Sequence, residues 1–527
     1  MGKFFCLPLF AIIFGAIGFI GFFLFPPITR KILNQKLVLS NGSALFTFWK
    51  DMPLPMFQKF YFYNITNPSE VEKNGVKPNL VELGPFTYHL KTHNTPVINP
   101  NGTISFYRNR TWIFDKEASV MDENITIYTI NVPLVIALSW IEKVPFPMVK
   151  LIEKILTSLD HGFIIEKSIK ELTFLGYPDM LMKLGSIVAP KATAGYNGKF
   201  AYFHHKNDSS DYLYTIYSGV NDISKINLLT RINGQDKLGI WADEPGENQD
   251  CNRFNDSTLG EIFPAMRNSP TQTIKLFTSD LSRTLSFTYQ KSHFAFKRLE
   301  TWKYLFANHN FASPSIYPSN KCYSSLMASY SFDGSNGTLP SGVFDASLPN
   351  NGFPILLSLP HFLGADPYYL TKVNGLSPND TKHSAWFEIE PTSGATAATA
   401  IRLQLNIGIT RSHLFKRSHK MPNIVFPTFW MEISFSLSPD YVDLLILINT
   451  ILSLVPTLIL AIGVGLAGLI LFIASLQLII PRTRIEINSC LNILTCHLYK
   501  ITKDDEQTIL DPEEMNDDHN EVMIHTN

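Results

Sequence analysis

Charged side chains are scarce in this chain, and neither sign dominates. Of the 527 residues only 17% are Asp, Glu, Lys or Arg, with 44 basic and 45 acidic side chains and a net charge of −1. Without an excess of positive charge there is no field to attract a polyanion, so the composition argues against a nucleic-acid partner. With 45% hydrophobic residues the chain can bury large cores, which excludes a mostly disordered protein.

Catalytic and metal-binding signatures are also missing. The sequence contains no Gly-x-Ser-x-Gly, no His-Glu-x-x-His, no Gly-x4-Gly-Lys-Thr and no Cys-x-x-Cys. The 14 histidines are scattered, and the adjacent pair His204 and His205 would face opposite sides of a strand rather than share a metal. We therefore expect no enzymatic activity, no catalytic residue, no metal and no cofactor.

Two long apolar runs lie near the ends of the chain. Residues 4–25 carry no charge and as a helix would span about 33 Å, which matches a bilayer core of about 30 Å. The run ends in Phe-Leu-Phe-Pro-Pro without a small-x-small cleavage site, so it is interpreted as an uncleaved anchor rather than a signal peptide. The second run, residues 444–480, is too long for one perpendicular crossing. A break at Pro456 would place the span at 455–480.

Basic residues after the second run predict the topology. Arg482 and Arg484 follow it directly, with Lys500 and Lys503 further on, and positive residues favour the cytosolic side. We expect residues 1–3 and the tail 481–527 in the cytosol, and an ectodomain of residues 26–443 in the lumen or outside the cell.

Glycosylation sequons agree with that topology, because they all lie between the two spans. Each sequon alone is also compatible with a simple turn. The candidate sites are Asn41, Asn64, Asn101, Asn109, Asn124, Asn207, Asn255, Asn336 and Asn379.

The five cysteines divide in the same way. Cys251 and Cys322 are the only two in the expected ectodomain, and we expect them to form a disulfide. Cys6, Cys490 and Cys496 lie at the cytosolic edges of the spans, where a thiol is either palmitoylated or left unmodified.

Between the spans the pattern is mainly that of β-strands. Residues 43–130 and 200–435 read as short alternating strands separated by turns. In between, Met148 to Leu159 has helical spacing, and helices are also expected over 164–172 and 178–184. The fold class is therefore α+β, with a helical cap at about 140–185.

Several ordered blocks resemble the class B scavenger receptors. This family includes the fatty-acid translocase, the high-density-lipoprotein receptor and the lysosomal integral membrane protein. The blocks are Phe60-Tyr61-Phe62-Tyr63-Asn64-Ile65-Thr66-Asn67-Pro68, Glu82-Leu83-Gly84-Pro85-Phe86, Glu171 through Asp179, Tyr217-Ser218-Gly219, Ser279-Asp280-Leu281-Ser282-Arg283, Leu359-Pro360-His361-Phe362 and Ile389-Glu390-Pro391-Thr392-Ser393-Gly394.

The resemblance implies an antiparallel β-barrel-like ectodomain with a helical cap at its apex and an apolar tunnel through it. Ligands would bind at the cap and lipid would pass down the tunnel. It also implies that Cys251 pairs with Cys322, whereas Ser282 and Ser324 stand where relatives often have further cysteines.

Three functions remain open at this stage. The first is a receptor that binds lipids or lipid-carrying particles and passes lipid through the tunnel. The second is a lysosomal sorting receptor for a luminal protein, and the third is an adhesion glycoprotein without transport. The candidate ligand-binding residues of the cap are Lys150, Leu151, Lys154, Ile155 and Lys167.

The tail carries a candidate sorting motif. Asp505 and Glu506 precede Ile509-Leu510, the arrangement of an acidic-dileucine signal that a cytosolic adaptor would read. The alternative is an incidental Ile-Leu pair in an acidic tail. The motif favours residence in endosomes or lysosomes over the plasma membrane.

Overall fold

A computed structural model describes most of the chain and separates it into two units. The described residues are 6–141, 150, 154, 162–210, 212–241, 251–266, 269–296, 298–323, 339–410 and 423–479. One unit comprises residues 31–449, and the other comprises residues 1–30 with 450–527.

The two longest α-helices of the described residues lie at the ends of the chain, and shorter ones lie between them. The helices are α1 (Cys6–Lys36), α2 (Ala44–Lys50), α3 (Pro68–Asn74), α4 (Val132–Ile141), α5 (Met180–Val188), α6 (Asp380–His383) and α7 (Pro439–Ile479).

The strands occupy most of what lies between. They are β1 (Met56–Ile65), β2 (Leu80–Asn99), β3 (Thr103–Asp115), β4 (Thr126–Ile130), β5 (Ile164–Ser168), β6 (Tyr177–Pro178), β7 (Lys199–Phe200), β8 (Leu213–Tyr217), β9 (Leu229–Ile232), β10 (Thr273–Thr278), β11 (Arg283–Ala295), β12 (Leu299–Phe306), β13 (Val343–Asp345), β14 (Ile355–Ser358), β15 (Trp386–Ile389), β16 (Thr396–Ile409) and β17 (Ile424–Ser436).

One large antiparallel sheet organises the unit of residues 31–449. Its strands follow the path β10-β11-β12-β15-β16-β17-β1-β2-β3-β8-β9, and β14 joins β13 to β16. Within the described residues the end strands β9 and β10 are not paired with each other, so the barrel-like sheet expected from the family resemblance is not a closed barrel. The expected mixture of a large antiparallel sheet with helices is confirmed.

The core is rich in aromatic rings because alternate side chains of a strand point inward, and several of these are aromatic. On β1, Phe60 and Phe62 are fully buried, and the ring of Phe62 lies 5.0 Å from that of Phe429 on β17. Each such buried ring stabilises the fold by about 2–3 kcal/mol. This aromatic layer fixes the register between β1 and its neighbours β2 and β17.

The region of the expected cap contains both helix and strand. The helix expected over 178–184 is present as α5, which packs against α4. The helix expected over 164–172 is wrong for its first half. Residues Ile164–Ser168 form β5 and pair with β4, followed by a π-helical turn at Glu171–Leu175. Most of Met148–Leu159 lies outside the described residues.

Helices α1 and α7 are long and apolar enough to cross a membrane. Both extend further than expected: α1 runs past Phe25 to Lys36, and α7 begins at Pro439 and continues through Pro456. The break expected at Pro456 is therefore absent. Threonine hydroxyl groups donate hydrogen bonds to backbone carbonyl oxygens near the prolines of both helices. Thr29 Oγ1 donates to Phe25 O at 2.8 Å in α1, and Thr457 Oγ1 donates to Leu454 O at 2.6 Å in α7.

Glycines bring α1 and α7 into close contact. A Cβ atom added to Gly18 would lie 2.8 Å from Gly463 Cα, and one added to Gly463 would lie 2.5 Å from Gly18 Cα. Gly465 has no neighbour within 4 Å of an added Cβ. The glycines at 18 and 463 therefore allow close helix packing, whereas Gly465 has no such role.

We expect Gly463→Leu to separate the two helices and Gly465→Leu to leave them packed. A Cβ at position 15 would lie 3.7 Å from Ala467 Cβ, a distance suited to a disulfide. Gly15→Cys with Ala467→Cys should therefore crosslink, and Gly463→Leu should lower the yield about tenfold or more because the backbones no longer approach.

The crosslink is measured by non-reducing peptide mapping in a chain without the cysteines at positions 6, 490 and 496. Equal yields in the leucine variants at 463 and 465 would contradict the packing.

Candidate functional site

An apolar cavity of about 140 Å³ lies inside the large sheet. Its aliphatic and aromatic lining residues are Met56, Leu90, Tyr214, Leu259, Leu276, Phe277, Phe387, Ile401, Ile433 and Phe435. The polar lining residues are Thr92, Arg108, Arg110, Glu261, Thr278, Ser279, Asp280 and Thr399. Leu276 belongs to β10 and Tyr214 to β8, which stand near opposite ends of the strand path. The sheet must therefore curl around this cavity.

Strand alternation explains which side chains reach the cavity. Ile401 on β16 is directly opposite Ile433 on β17, and both line the cavity. Their neighbours Arg402 and Glu432 point to the other face of the sheet, where Arg402 Nε lies 2.7 Å from Glu432 Oε2. Lys59 Nζ completes this outer network at 3.0 Å from Glu432 Oε1.

A buried ion pair forms one polar part of the wall. Arg108 Nη1 pairs with Glu261 Oε1, and Arg108 Nε donates to Asn94 Oδ1 at 3.0 Å. Because the charge of Arg108 is balanced by Glu261, this part of the wall is polar without attracting ions strongly.

A larger cavity of about 650 Å³ adjoins the first. Both are lined by Met56, Leu90 and Thr92, so the two cavities share a wall. The remaining wall of the larger cavity mixes apolar and ionisable residues: Asp51, Met52, Pro53, Leu54, Pro55, His89, Lys91, His93, Asn109 and Thr111. Both cavities combine a mostly apolar wall with a few ionisable groups, which is the composition of a small-molecule site.

A cluster of buried polar rings lies elsewhere in the same unit. His361 Nε2 lies 2.6 Å from Glu82 Oε2, which also accepts from Trp430 Nε1 at 2.7 Å. The ring of His383 stacks on that of His361, with centroids 4.2 Å apart and planes 8° apart. Both imidazoles are buried. The cluster connects β2 and β17 to the 3-10 turn that contains His361 and to helix α6, which ends at His383.

Backbone N–H groups fix the hydrogen-bonding role of both Nδ1 atoms. The amide of Ser377 donates to His361 Nδ1, and the amide of Asn379 donates to His383 Nδ1, each at 3.0 Å. An N–H can only donate, so each Nδ1 atom is a hydrogen-bond acceptor in this arrangement. Burial, followed by the charge of His361, lowers the pKa of His383 to about 4.

Sequence reasoning missed the role of this cluster. Glu82 and His361 both lie in the blocks that resemble scavenger receptors, but His383 lies in none of them. The three residues are separated by up to hundreds of positions in sequence, and only the sheet pairing brings them together.

The structure describes three of the five cap residues. Lys150 and Lys154 are exposed, and Lys167 Nζ lies 4.7 Å from the centroid of the Tyr177 ring. Leu151 and Ile155 lie outside the described residues, so whether the five side chains form one surface stays a prediction.

The expected disulfide is present: Cys251 is bonded to Cys322, with Cα atoms 6.0 Å apart. Cys6 begins α1, and Cys490 and Cys496 lie outside the described residues. The sorting motif of Asp505, Glu506, Ile509 and Leu510 also lies outside them.

Most sequon asparagines are exposed and keep the Nδ2 atom available. Asn207 and Asn379 use their Oδ1 atoms to accept backbone N–H groups of Trp112 and Lys382, which leaves Nδ2 for a glycan. Asn41, Asn101, Asn124 and Asn255 are exposed, Asn64 and Asn109 are half-buried, and Asn336 lies outside the described residues.

Comparison with known proteins identifies the family. Residues 8–479 match the model of the CD36 family. Scavenger receptor class B member 1 of Sus scrofa is 27% identical over 420 residues, which cover 80% of this chain and 78% of the relative. Lysosome membrane protein 2 of Homo sapiens is 28% identical over 443 residues, covering 82% of this chain and 86% of the relative. Since the family model matches nearly the whole chain, the protein is a membrane protein of the CD36 family.

Proposed function

We propose that the ectodomain binds lipid in the cavity enclosed by the large sheet and passes it toward the membrane. The observation that carries this proposal is a cavity lined from nearly opposite ends of the strand path by aliphatic and aromatic side chains. The apolar part of this wall favours an acyl chain or a ring system, with about 25 cal/mol gained per Å² of apolar surface buried.

The adjoining cavity supplies the route to the exterior. It shares Met56, Leu90 and Thr92 with the inner one and carries Lys91, His89 and His93 at its wall. A lipid that enters there would keep its polar head among these groups while its apolar part reaches the interior. Transfer of this kind breaks no covalent bond, so the proposed function is that of a receptor and not of an enzyme.

The relatives support a receptor of lipids or lipid-carrying particles. One is named a scavenger receptor and another a lysosome membrane protein. We propose that particles or a luminal protein are recognised at the cap, where Lys150 and Lys154 are exposed. The alternative of a sorting receptor for a luminal protein rests on the second name and on the candidate motif of the tail.

We further propose that α1 and α7 cross the bilayer with both termini in the cytosol. The ectodomain would then be luminal or extracellular and glycosylated at most of its sequons. An adaptor that reads Ile509-Leu510 would direct the protein to endosomes or lysosomes, with the plasma membrane as the alternative residence.

Photocrosslinking of a lipid to the purified full-length protein tests the function. A sterol or fatty acid with a diazirine in its apolar part is irradiated with the protein in detergent micelles, and labelled peptides are mapped. Label is expected on peptides of β1, β2, β16 and β17 that contain cavity residues, and excess unlabelled lipid should remove it. Label confined to α1 and α7 would mean that lipid contacts the apolar helices alone, and the proposal would be lost.

A further inference from the structure

A third cavity, of about 520 Å³, lies beside the disulfide and has a different character. Its wall is polar and includes both cysteines of the disulfide. The other lining residues are Arg253, Asn255, Asp256, Lys275, Arg283, Thr284, Ser286, His309, Asn310, Tyr317, Ser319, Asn320 and Tyr323. None of these residues lines either of the two cavities proposed for lipid.

Arg283 is the unusual member of this wall. Its side chain is buried, and its guanidinium carbon lies 3.9 Å from the ring centroid of Tyr323 and 4.8 Å from that of Phe344. Asn320 Oδ1 accepts from its Nη2 at 3.1 Å, the Tyr323 side chain also stabilises the cation, and its Nε has no acceptor among the described residues. No carboxylate of the described residues pairs with it.

The neighbouring amide holds Arg283 in that position. Asn320 Nδ2 donates to the carbonyl oxygens of His309 and Ala312, both at 2.8 Å, so its Oδ1 is directed at the guanidinium. The aromatic faces stabilise the cation but do not neutralise it. Burial lowers the pKa of Arg283, which reflects the cost of keeping this charge away from water.

The other charges of the cavity do not balance Arg283. Among the described lining residues Asp256 is the carboxylate, and no ion pair joins it to Arg283. Burial, followed by the charge of Arg283, lowers the pKa of His309, so this ring is neutral near pH 7. Arg283 is therefore a buried cation without a carboxylate partner among the described residues.

We propose that this cavity binds a tetrahedral oxyanion, as the phosphate or sulfate group of a small ester. An anion would supply the hydrogen-bond acceptors that the guanidinium of Arg283 lacks. The planar group of an arginine carries N–H donors in the geometry that suits phosphate and sulfate oxygens. The hydroxyl groups of Ser286 and Ser319 add donors around it. The volume exceeds that of a bare ion and accommodates a sugar or glycerol attached to it.

Titration calorimetry on the purified full-length protein at constant ionic strength tests the proposal. The ligands are inorganic phosphate, glucose 6-phosphate, glycerol 3-phosphate and uncharged glucose. We expect saturable binding of the three anions and none of glucose. Tighter binding of one ester than of phosphate identifies the group attached to the anion. The titrations are repeated with Asn255→Gln, because a glycan at this lining residue could cover the cavity.

Two variants and a matched control connect the binding to this cavity. Arg283→Lys keeps the charge but loses the planar fork, and should weaken binding about tenfold or more. Lys275→Gln removes an exposed charge at the wall and should weaken it up to about fivefold. Lys291→Gln removes an exposed charge from the adjacent strand β11 outside the cavity and should change nothing.

The variant Lys275→Gln decides the question if Arg283→Lys fails to fold. Equal affinities in Lys275→Gln and Lys291→Gln would mean that anions collect around the protein without a site. That result, or the lack of saturable binding in both the natural chain and Asn255→Gln, overturns the proposal. Neither result bears on lipid binding in the other two cavities.

Discussion

Tryptophan in place of Ile433 is expected to abolish lipid transfer while leaving the protein folded. Ile433 lines the inner cavity opposite Ile401, and the cavity measures only about 140 Å³. An indole at this position fills space that an acyl chain would need. Overpacking a wall in this way costs about 1–3 kcal/mol, which a domain with so extensive an aromatic core tolerates.

The neighbouring residue provides the control. Ser434 follows Ile433 on β17 and, by strand alternation, points to the opposite face with Glu432. Ser434→Trp adds the same side chain at nearly the same place in the fold but outside the cavity. It should transfer lipid as the natural chain does.

Uptake of a fluorescent lipid is measured in cells that contain equal amounts of each variant at the same membrane. We expect the Ile433→Trp variant to fall to the level of cells without the protein, a loss of about tenfold or more. If it takes up lipid as well as Ser434→Trp does, the cavity is not the route, and the sorting or adhesion alternative replaces transport.

The sequence predicts an element correctly where the local residue pattern determines its secondary structure. It fails where pairing with a strand distant in sequence determines it. The alternation of β1 is visible in the residues because Gln58, Phe60 and Phe62 are buried, whereas Lys59 between them is partly exposed and pairs with Glu432. In β5 the apolar spacing of Ile164, Ile165 and Ile169 suits a helix equally well. Pairing with β4, about forty residues earlier, overrides that preference.

The cavities depend on distant pairing still more. Alternation alone indicates that Ile401 and Ile433 share a face with some neighbour, but not which strands curl around it. Arg283 shows the same limit: it was visible as part of a family block, yet its lack of a carboxylate partner among the described residues follows only from the positions of Tyr323, Phe344 and Asn320.

Acidification from pH 6.5 to pH 4 is expected to destabilise the ectodomain through His383, and His383→Asn should remove this effect. The imidazole accepts the amide of Asn379 at Nδ1, so protonation there breaks a hydrogen bond. It also places a positive charge 4.2 Å from the centroid of the His361 ring. An asparagine can accept the same amide with Oδ1 and does not titrate.

The charged groups around His383 come from several elements. Glu82 on β2 attracts a proton to it, whereas His361, Arg402 on β16 and Lys382 on α6 oppose protonation. Burial raises the pKa of Glu82, but hydrogen bonds from His361 and Trp430 outweigh this effect, so the pKa of Glu82 is lowered overall. Glu82 thus stays ionised into mildly acidic solution, and its loss of charge at still lower pH would weaken the cluster further.

The sign of the effect follows from the two pKa values of His383. The folded value is about 4 and the unfolded value 6.5, so over this window the unfolded chain binds more protons. The contribution of the neutral His383 ring to the free energy of unfolding is fully present above pH 6.5. It is lost as the pH falls toward 4, and it does not change further below that pH. After allowance for solvent screening the loss is about 1–2 kcal/mol, which lowers the melting temperature by a few degrees.

Melting temperatures of the purified protein, measured at steps between pH 7 and pH 4, distinguish a specific device from general acid denaturation. His383→Asn should show a smaller decrease across pH 6.5–4 than the natural chain. His205→Asn, which replaces an exposed histidine outside the cluster, should follow the natural chain. If both asparagine variants decrease as steeply as the natural chain, protonation occurs elsewhere and the stacked imidazoles are only a structural contact. A smaller decrease for His383→Asn alone would make this buried pair an acid-sensitive connection of β2 and β17 to the 3-10 turn that contains His361 and to helix α6.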